Sequence, residues 1–150
     1  MGDINFFLYP DDEEPEEAED GIGQTPSRTI PACCIGEVDI MIATAQDRGQ
    51  GVGKAAVSAF LHYILRNIAD ILLEYQSAGK GNDGSGEALR LKRLMVKIKA
   101  ENVASIALFK GLGFEQQGEV NYFGEVKMVL DRFDRFVNNT PDSYQELPYR

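Results

Sequence analysis

Between positions 48 and 54 the chain reads Arg-Gly-Gln-Gly-Val-Gly-Lys, placing glycines at 49, 51 and 53. Glycines leave backbone N–H groups uncovered, and a helix that starts there turns its positive dipole end toward whatever binds. Anion binding is the chemistry on offer. Spacing separates the ligands that use such loops. A phosphate-binding P-loop requires G-x-x-x-x-G-K-[ST], whereas Arg48 stands at the first glycine position and Ala55 where the Mg²⁺-holding hydroxyl belongs. A dinucleotide fingerprint requires G-x-G-x-x-G, and its third glycine would fall on Lys54. Both are disfavoured, and with them a general nucleotide-binding module. What remains is Arg-x-x-Gly-x-Gly, carried by Arg48, Gly51 and Gly53, with Gly49, Gln50 and Val52 between. Lys54 sharpens the reading, because a cation in the first turn of a helix costs on the order of 0.3 to 1 kcal/mol unless an anion sits there.

Two carboxylates, Glu37 and Asp39, share one face of the alternating segment Gly36 to Ala43, whose Val38, Ile40 and Ile42 point the other way. Asn102 stands where an N-cap belongs, ahead of Ser105, Ile106, Phe109 and Lys110, and Gly111 and Gly113 stop that short helix. The lone His62 lies beside Tyr63 on an apolar stripe and reads as structural. Cys33 and Cys34 are adjacent, a geometry that strains a disulfide. No His, Cys and carboxylate spacing indicates a metal.

These residues need elements to hold them. Ile4 to Tyr9 and Gly36 to Ala43 read as strands. A helix follows the glycine loop, with Val52, Ala56, Ala59, Phe60, Tyr63 and Ile64 on one stripe, and continues into Ile68 to Tyr75. Leu89 to Lys99 is a strand with Leu91, Arg93, Met95 and Lys97 on one face and Lys92, Leu94, Val96 and Ile98 on the other. After the Asn102 helix come strands at Phe114 to Val120 and Tyr122 to Leu130, joined around Asn121. The order strand, strand, helix, strand, helix, strand, strand defines a mixed α/β domain. Pro10 to Pro31 has almost nothing to bury and is expected to be disordered. Gln76 to Glu87 is low-complexity and expected to be a flexible loop.

The chain has 150 residues, 43% of them hydrophobic and 26% charged, with a formal charge of −9. Eight of the 24 acids fall within residues 11–20, leaving 16 acids against 15 bases elsewhere. The acidity therefore argues only weakly against nucleic acid, whose binding runs on Lys and Arg. Two cysteines cannot build a disulfide framework, no apolar stretch reaches about 18 residues, and the start lacks a signal-peptide pattern. The expectation is a cytoplasmic protein, the nucleus being the alternative, with no nucleic-acid or membrane partner.

The Arg48–Gly51–Gly53 pattern resembles the pyrophosphate loop of the GNAT superfamily of acetyl-coenzyme A dependent N-acetyltransferases. Asn102 to Phe114 is similar to that superfamily's helix-four motif, N-x-x-[AS]-x-x-x-[YF]-x-x-x-G-F. The pieces GDINFFL (2–8), GEVDIMIA (36–43), RGQGVG (48–53), VKIKAENVASIALFKGLGF (96–114), NYFGEV (121–126) and the terminal ELPYR resemble its N-acetyltransferase 9-like branch. The resemblance implies a GNAT acyl-CoA N-acyltransferase fold, an α/β mixed sheet, present from about the third strand onward. It implies a partial domain over 1–131, with an acidic disordered insert at 10–32, a flexible insert at 72–88 and a tail at 132–150. The first two strands and helices would precede Met1, as in a truncated gene product, and the apolar faces so uncovered would give poor solution behaviour.

The activity implied is transfer of acetyl from acetyl-CoA to a protein or peptide amine, an α-amine or a lysine, by direct attack in a ternary complex. No metal takes part. Ile42 and Ala43 would pair with the pantetheine arm, Arg48 to Lys54 (Arg48, Gly49, Gln50, Gly51, Val52, Gly53, Lys54) would hold the pyrophosphate, and Asn102, Ser105 and Phe109 would line the channel. Glu37 lies eleven residues before Arg48, the offset of a glutamate base in the histone-acetylating branch, with Asp39 as its substitute. Many members carry a tyrosine acid where Phe109 stands, so the thiolate leaves unassisted or Tyr122 replaces that acid. The alternative reading is a catalytically silent interaction protein that keeps part of the fold.

Overall fold

A computed structural model describes residues 2–11, 32–42, 46, 49–79, 88–133 and 136. The acidic block at 12–31, Ala43, Arg48, the low-complexity residues 80–87 and the tail at 137–150 lie outside the described residues.

The chain forms β1 (Gly2–Pro10), β2 (Cys33–Ile42), α1 (Val52–Arg66), α2 (Ile68–Ser77), β3 (Arg90–Lys99), α3 (Val103–Gly111), β4 (Glu115–Gln117) and β5 (Glu125–Leu130). One five-stranded sheet has the order β1-β2-β3-β5-β4. Among the described strands only β2 and β3 run parallel, joined through α1 and α2; β1 pairs antiparallel with β2, and β5 with both β3 and β4. The mixed α/β class is as expected. On the helix side, Val38, Leu94, Val96, Ile98, Val126, Met128 and Leu130 of the strands join Val57, Leu61 and Leu65 of α1 and Phe109 and Leu112 of α3 in one core. The opposite face carries Glu37, Asp39, Lys97 and Lys99.

Several local expectations shift by a residue or more. The inward stripe of α1 is Val57, Leu61, Ile64 and Leu65, while Val52 is 46% exposed and Tyr63 47%. Two apolar stripes compete on this helix, and the one bearing branched aliphatic residues fills the sheet face more densely. The helix also does not run through. The Asn67 side chain donates to the Tyr63 carbonyl at 2.8 Å, α1 and α2 meet at a 67° bend, and a side chain bonding back to its own helix favours such a break. No single helix among the described residues is long and apolar enough to cross a membrane.

The flexible insert expected from residue 72 begins later, because α2 is helical to Ser77 and buries Leu72 against Cys34 and Leu89. Likewise the acidic insert does not include Pro10, which closes β1 opposite Cys34, nor Ala32, whose carbonyl accepts from Arg90 N at 3.0 Å. Leu91 was expected with Arg93 and Met95. An irregularity pairs Cys34 with Leu91 but Ile35 with Arg93; the extra residue reverses the alternation, and Leu91 packs against both apolar clusters. The last two strands are shorter than expected. Gly118 and Gly124, at φ 73° each, adopt the left-handed backbone that ends a strand, and Asn121 organises the turn between them.

Candidate functional site

The parallel ladder between β2 and β3 stops early. Its last pair is Glu37 with Met95, although β2 continues to Ile42 and β3 to Lys99. Beyond Glu37, β2 stays paired with β1, Ile42 lying opposite Gly2. Alternate peptide groups of a strand point to opposite sides, so those of 38–42 that turn away from β1 face a gap where β3 has diverged. An extended ligand can pair there as a strand would.

Into the same gap open the starts of two helices. α1 begins at Gly51, whose φ of 81° is left-handed; no side chain caps this end and its first turn carries no acid. The first helical bond is Ala55 N to Gly51 O at 3.0 Å, so N–H groups before Ala55 have no partner within the helix. With Lys54 in that turn, positive potential is concentrated rather than neutralised. α3, by contrast, is capped: Asn102 Oδ1 accepts from Ser105 N at 3.2 Å. That bond takes up an N–H which would otherwise compete for a ligand, and it fixes the wall of the cleft.

Between them lies a cleft of about 640 Å³, lined by Ile40 and Met41 of β2, by Gly49, Gly51, Gly53 and Lys54, and by Asn102, Ala104, Ser105, Ala107, Leu108 and Phe109. The structure therefore brings together Gly49, Gly51, Gly53, Lys54, Asn102, Ser105 and Phe109 from the expected set. Gln50 and Val52 are exposed and do not line it; Gln50 instead donates to the Gln46 carbonyl at 2.7 Å. Ile42 ends β2 beside the gap, while Ala43 and Arg48 fall outside the described residues. Phe109 is mainly a core residue, 1% exposed and edge-on to Phe114 with ring centroids 5.1 Å apart. Ala104 and Ala107 escaped the sequence reading. Their signal is their smallness, since a wall that admits a ligand against a helix backbone needs short side chains.

Glu37 and Asp39 lie on the open face of the sheet, Glu37 at the vertex where the strands part. Its Oε2 is 3.4 Å from Lys97 Nζ, and Asp39 is exposed. The cleft side holds the helix ends and the open side the carboxylates, so a donor and an acceptor have separate approaches to one vertex. Tyr122, considered as an acid, is 97% exposed and does not line the cleft. Asn121 holds its turn by accepting from Phe123 N and Glu125 N at 2.9 Å each. The Asn121 amide, then Lys99, hold the Glu125 carboxyl below its usual range. His62 is buried and donates from Nδ1 to the Phe136 carbonyl at 2.8 Å, a packing role. Burial, with smaller effects of Cys33 and Asp11, pushes the Cys34 thiol up to about 11. Among the described residues no group of three or more His, Cys, Asp or Glu is placed to hold a metal.

A parted parallel ladder beside an uncapped, glycine-opened helix leaves strand-edge and helix N–H groups facing one cleft. The model of the Acetyltransferase (GNAT) domain matches residues 1–115. The chain belongs to the GNAT acetyltransferase family. It is 31% identical over 137 residues to an N-acetyltransferase 9-like protein of Schizosaccharomyces pombe, covering 88% of this chain and 56% of that one. It is 26% identical over 153 residues to the Alpha/beta-tubulin-N-acetyltransferase 9 of Homo sapiens, covering 100% and 55%. Among solved structures, it is similar to Arabidopsis thaliana NAA60 in complex with acetyl-CoA, with TM-score 0.44 and 13% identity over 85% of this chain and 62% of that one. The chain spans about half the length of the curated relatives it matches.

Proposed function

We propose that this chain binds acetyl-CoA in the cleft between β2, α1 and α3 and belongs to an N-acetyltransferase acting on a protein or peptide amine. The observation that carries this reading is the parted β2–β3 ladder, opening directly onto the uncapped start of α1. The N–H groups at Gly49 to Lys54, together with Arg48, hold the pyrophosphate. The free edge of β2 toward Ile42 and Ala43 pairs with the pantetheine amides, and Asn102, Ser105 and Phe109 close the channel. The anionic donor and the positive helix end fit each other.

On the open face Glu37 accepts a proton from the acceptor ammonium, because an amine of pKa about 8 to 10.4 is mostly protonated at pH 7. Asp39 is the substitute base. The neutral nitrogen then attacks the thioester carbonyl, a C–N bond forms, the C–S bond breaks, and the second proton shed by the nitrogen passes through water to the departing thiolate, giving the thiol. Phe109 has no proton to give, and a thiol of pKa about 8.5 leaves without help. The human relative's name points to tubulin, which supports a protein amine, an α-amine or a lysine, as acceptor.

The test is a titration of the chain with acetyl-CoA followed by calorimetry, and then transfer to an unblocked peptide. Saturable binding lost in Gly51→Leu supports the site, and folded protein that does not bind refutes it. Glu37→Gln is expected to keep donor affinity and slow transfer about 10² to 10⁴-fold, the range of a general base. A second reading, donor binding without turnover, is favoured by Phe109, which puts an apolar ring at the position of the family's acid. It predicts normal titration and no transfer.

A further inference from the structure

The open face of β3 presents three cations, Arg93, Lys97 and Lys99, at alternate positions, and they do not pair alike. Arg93 turns toward the β5 side and bonds Asp131 at 2.9 and 3.3 Å. Lys99 turns the same way, reaching Glu125 at 3.3 Å and the Phe123 carbonyl at 2.8 Å. Lys97 turns the other way, to Glu37 on β2 at 3.4 Å. The cause lies in the register: the residue of β5 directly opposite Lys97 is Lys127, and like charges facing across a ladder repel. Lys97 thus faces another lysine rather than an acid on β5 and reaches Glu37 instead, beyond which β2 and β3 part.

We infer that Lys97 is a positioning residue for Glu37, holding Oε2 from the β3 side so that Oε1 is presented to the acceptor amine. This rests on Glu37 being the base. The Glu37 side chain is 17% exposed and that of Lys97 44%, so the carboxylate is the packed partner and the ammonium the adjustable one. Around Glu37, β1 contributes Phe7 directly opposite with Asn5 and Tyr9 flanking, β2 contributes Asp39, and β3 contributes Met95 with Lys97 and Arg93. Arg93 bonds Asp131, and among the described residues Lys97 is the cation seen to reach this carboxylate. During transfer one proton moves from the acceptor ammonium to Oε1 and on to water, a second passes from the nitrogen through water to the leaving thiolate, and Lys97 keeps its own proton throughout.

The experiment compares parent, Lys97→Met, Lys97→Arg, Glu37→Gln and the double variant Glu37→Gln/Lys97→Met, with an unblocked peptide as acceptor. Lys97→Met is expected to lower kcat about fivefold, the reach of a half-exposed ion pair, with donor affinity unchanged and with rescue by Lys97→Arg. In the Glu37→Gln background the same change is expected to do nothing further, since a residue acting through Glu37 loses its effect once the carboxylate is gone. An equal loss in both backgrounds, or no loss in either, overturns the proposal. A parental rate in Glu37→Gln alone overturns the reading of Glu37 as base, and with it the role of Lys97. Should the 150-residue chain not turn over, thermal unfolding of the same four proteins in the cycle reads the pair directly, and additive changes overturn the proposal.

Discussion

Gly51 is where backbone geometry and ligand space can be separated by substitution. It caps α1 at φ 81°, and a Cβ added there would meet nothing within 4 Å. Gly51→Ala therefore introduces no clash and costs only the left-handed backbone, about 1 to 2 kcal/mol. At about 2 to 4 °C per kcal/mol for a chain of this size, the melting temperature should fall by about 2 to 8 °C. Gly51→Leu carries the same backbone cost but projects its side chain into the cleft that Gly51 lines. Donor binding at a hundredfold excess over Kd stabilises a protein by about 2.7 kcal/mol. That increment should persist, weakened, in the alanine variant and vanish in the leucine variant. The assay is thermal unfolding with and without acetyl-CoA, plus direct titration. A leucine variant that keeps the parental donor-induced shift would refute the placing of the pyrophosphate at this helix start.

Phe109→Ala should remove about 3 to 5 kcal/mol of stability, since the ring is 1% exposed and packs on Phe114; a loss below 1 kcal/mol by denaturant titration would show that the wall of the cleft is not core. Cys34, with 0% exposure and a thiol at about 11, should resist alkylation while Cys33 reacts, as read by mass spectrometry of folded protein. Because the folded thiol keeps its proton where the unfolded one, at 9.0, loses it, stability should decline between pH 9 and 11, and Cys34→Ala should flatten that decline. Glu125 titrates below its usual 4.5 because Asn121 and Lys99 bond its charged form. Its contribution is complete above pH 4.5 and is lost as pH falls through the lowered value. NMR titration should show Asn121→Ala moving Glu125 back toward 4.5.

The GNAT motifs were legible because they are local. A left-handed turn at Gly51 and an N-cap at Asn102 are written in a few adjacent residues, whose own backbone and side-chain chemistry does the work. The strands β1, β2 and β3 were legible for a similar reason, since alternation is a property of the segment itself. The inward stripe of α1 was not. Val52, Phe60 and Tyr63 form as periodic an apolar row as Val57, Leu61 and Leu65, and only the shape of the sheet face selects between them. The inward turn of Leu91 is not legible in the strand's periodicity, because one extra residue opposite the Cys34–Ile35 step reverses the alternation.

What the sequence by itself determined is the chemistry available: glycine N–H groups, Lys54 at a helix start, a capped second helix, and two carboxylates on one strand face. Tertiary structure alone decided that β2 and β3 part after Glu37, that the cleft opens on one side of that vertex and the carboxylates stand on the other, and that Lys97 turns to Glu37 rather than to β5. The physical reason is that each of these depends on pairing between segments far apart in the chain. The divergence of two strands and the facing of Lys97 by Lys127 exist only once the register of the sheet is set.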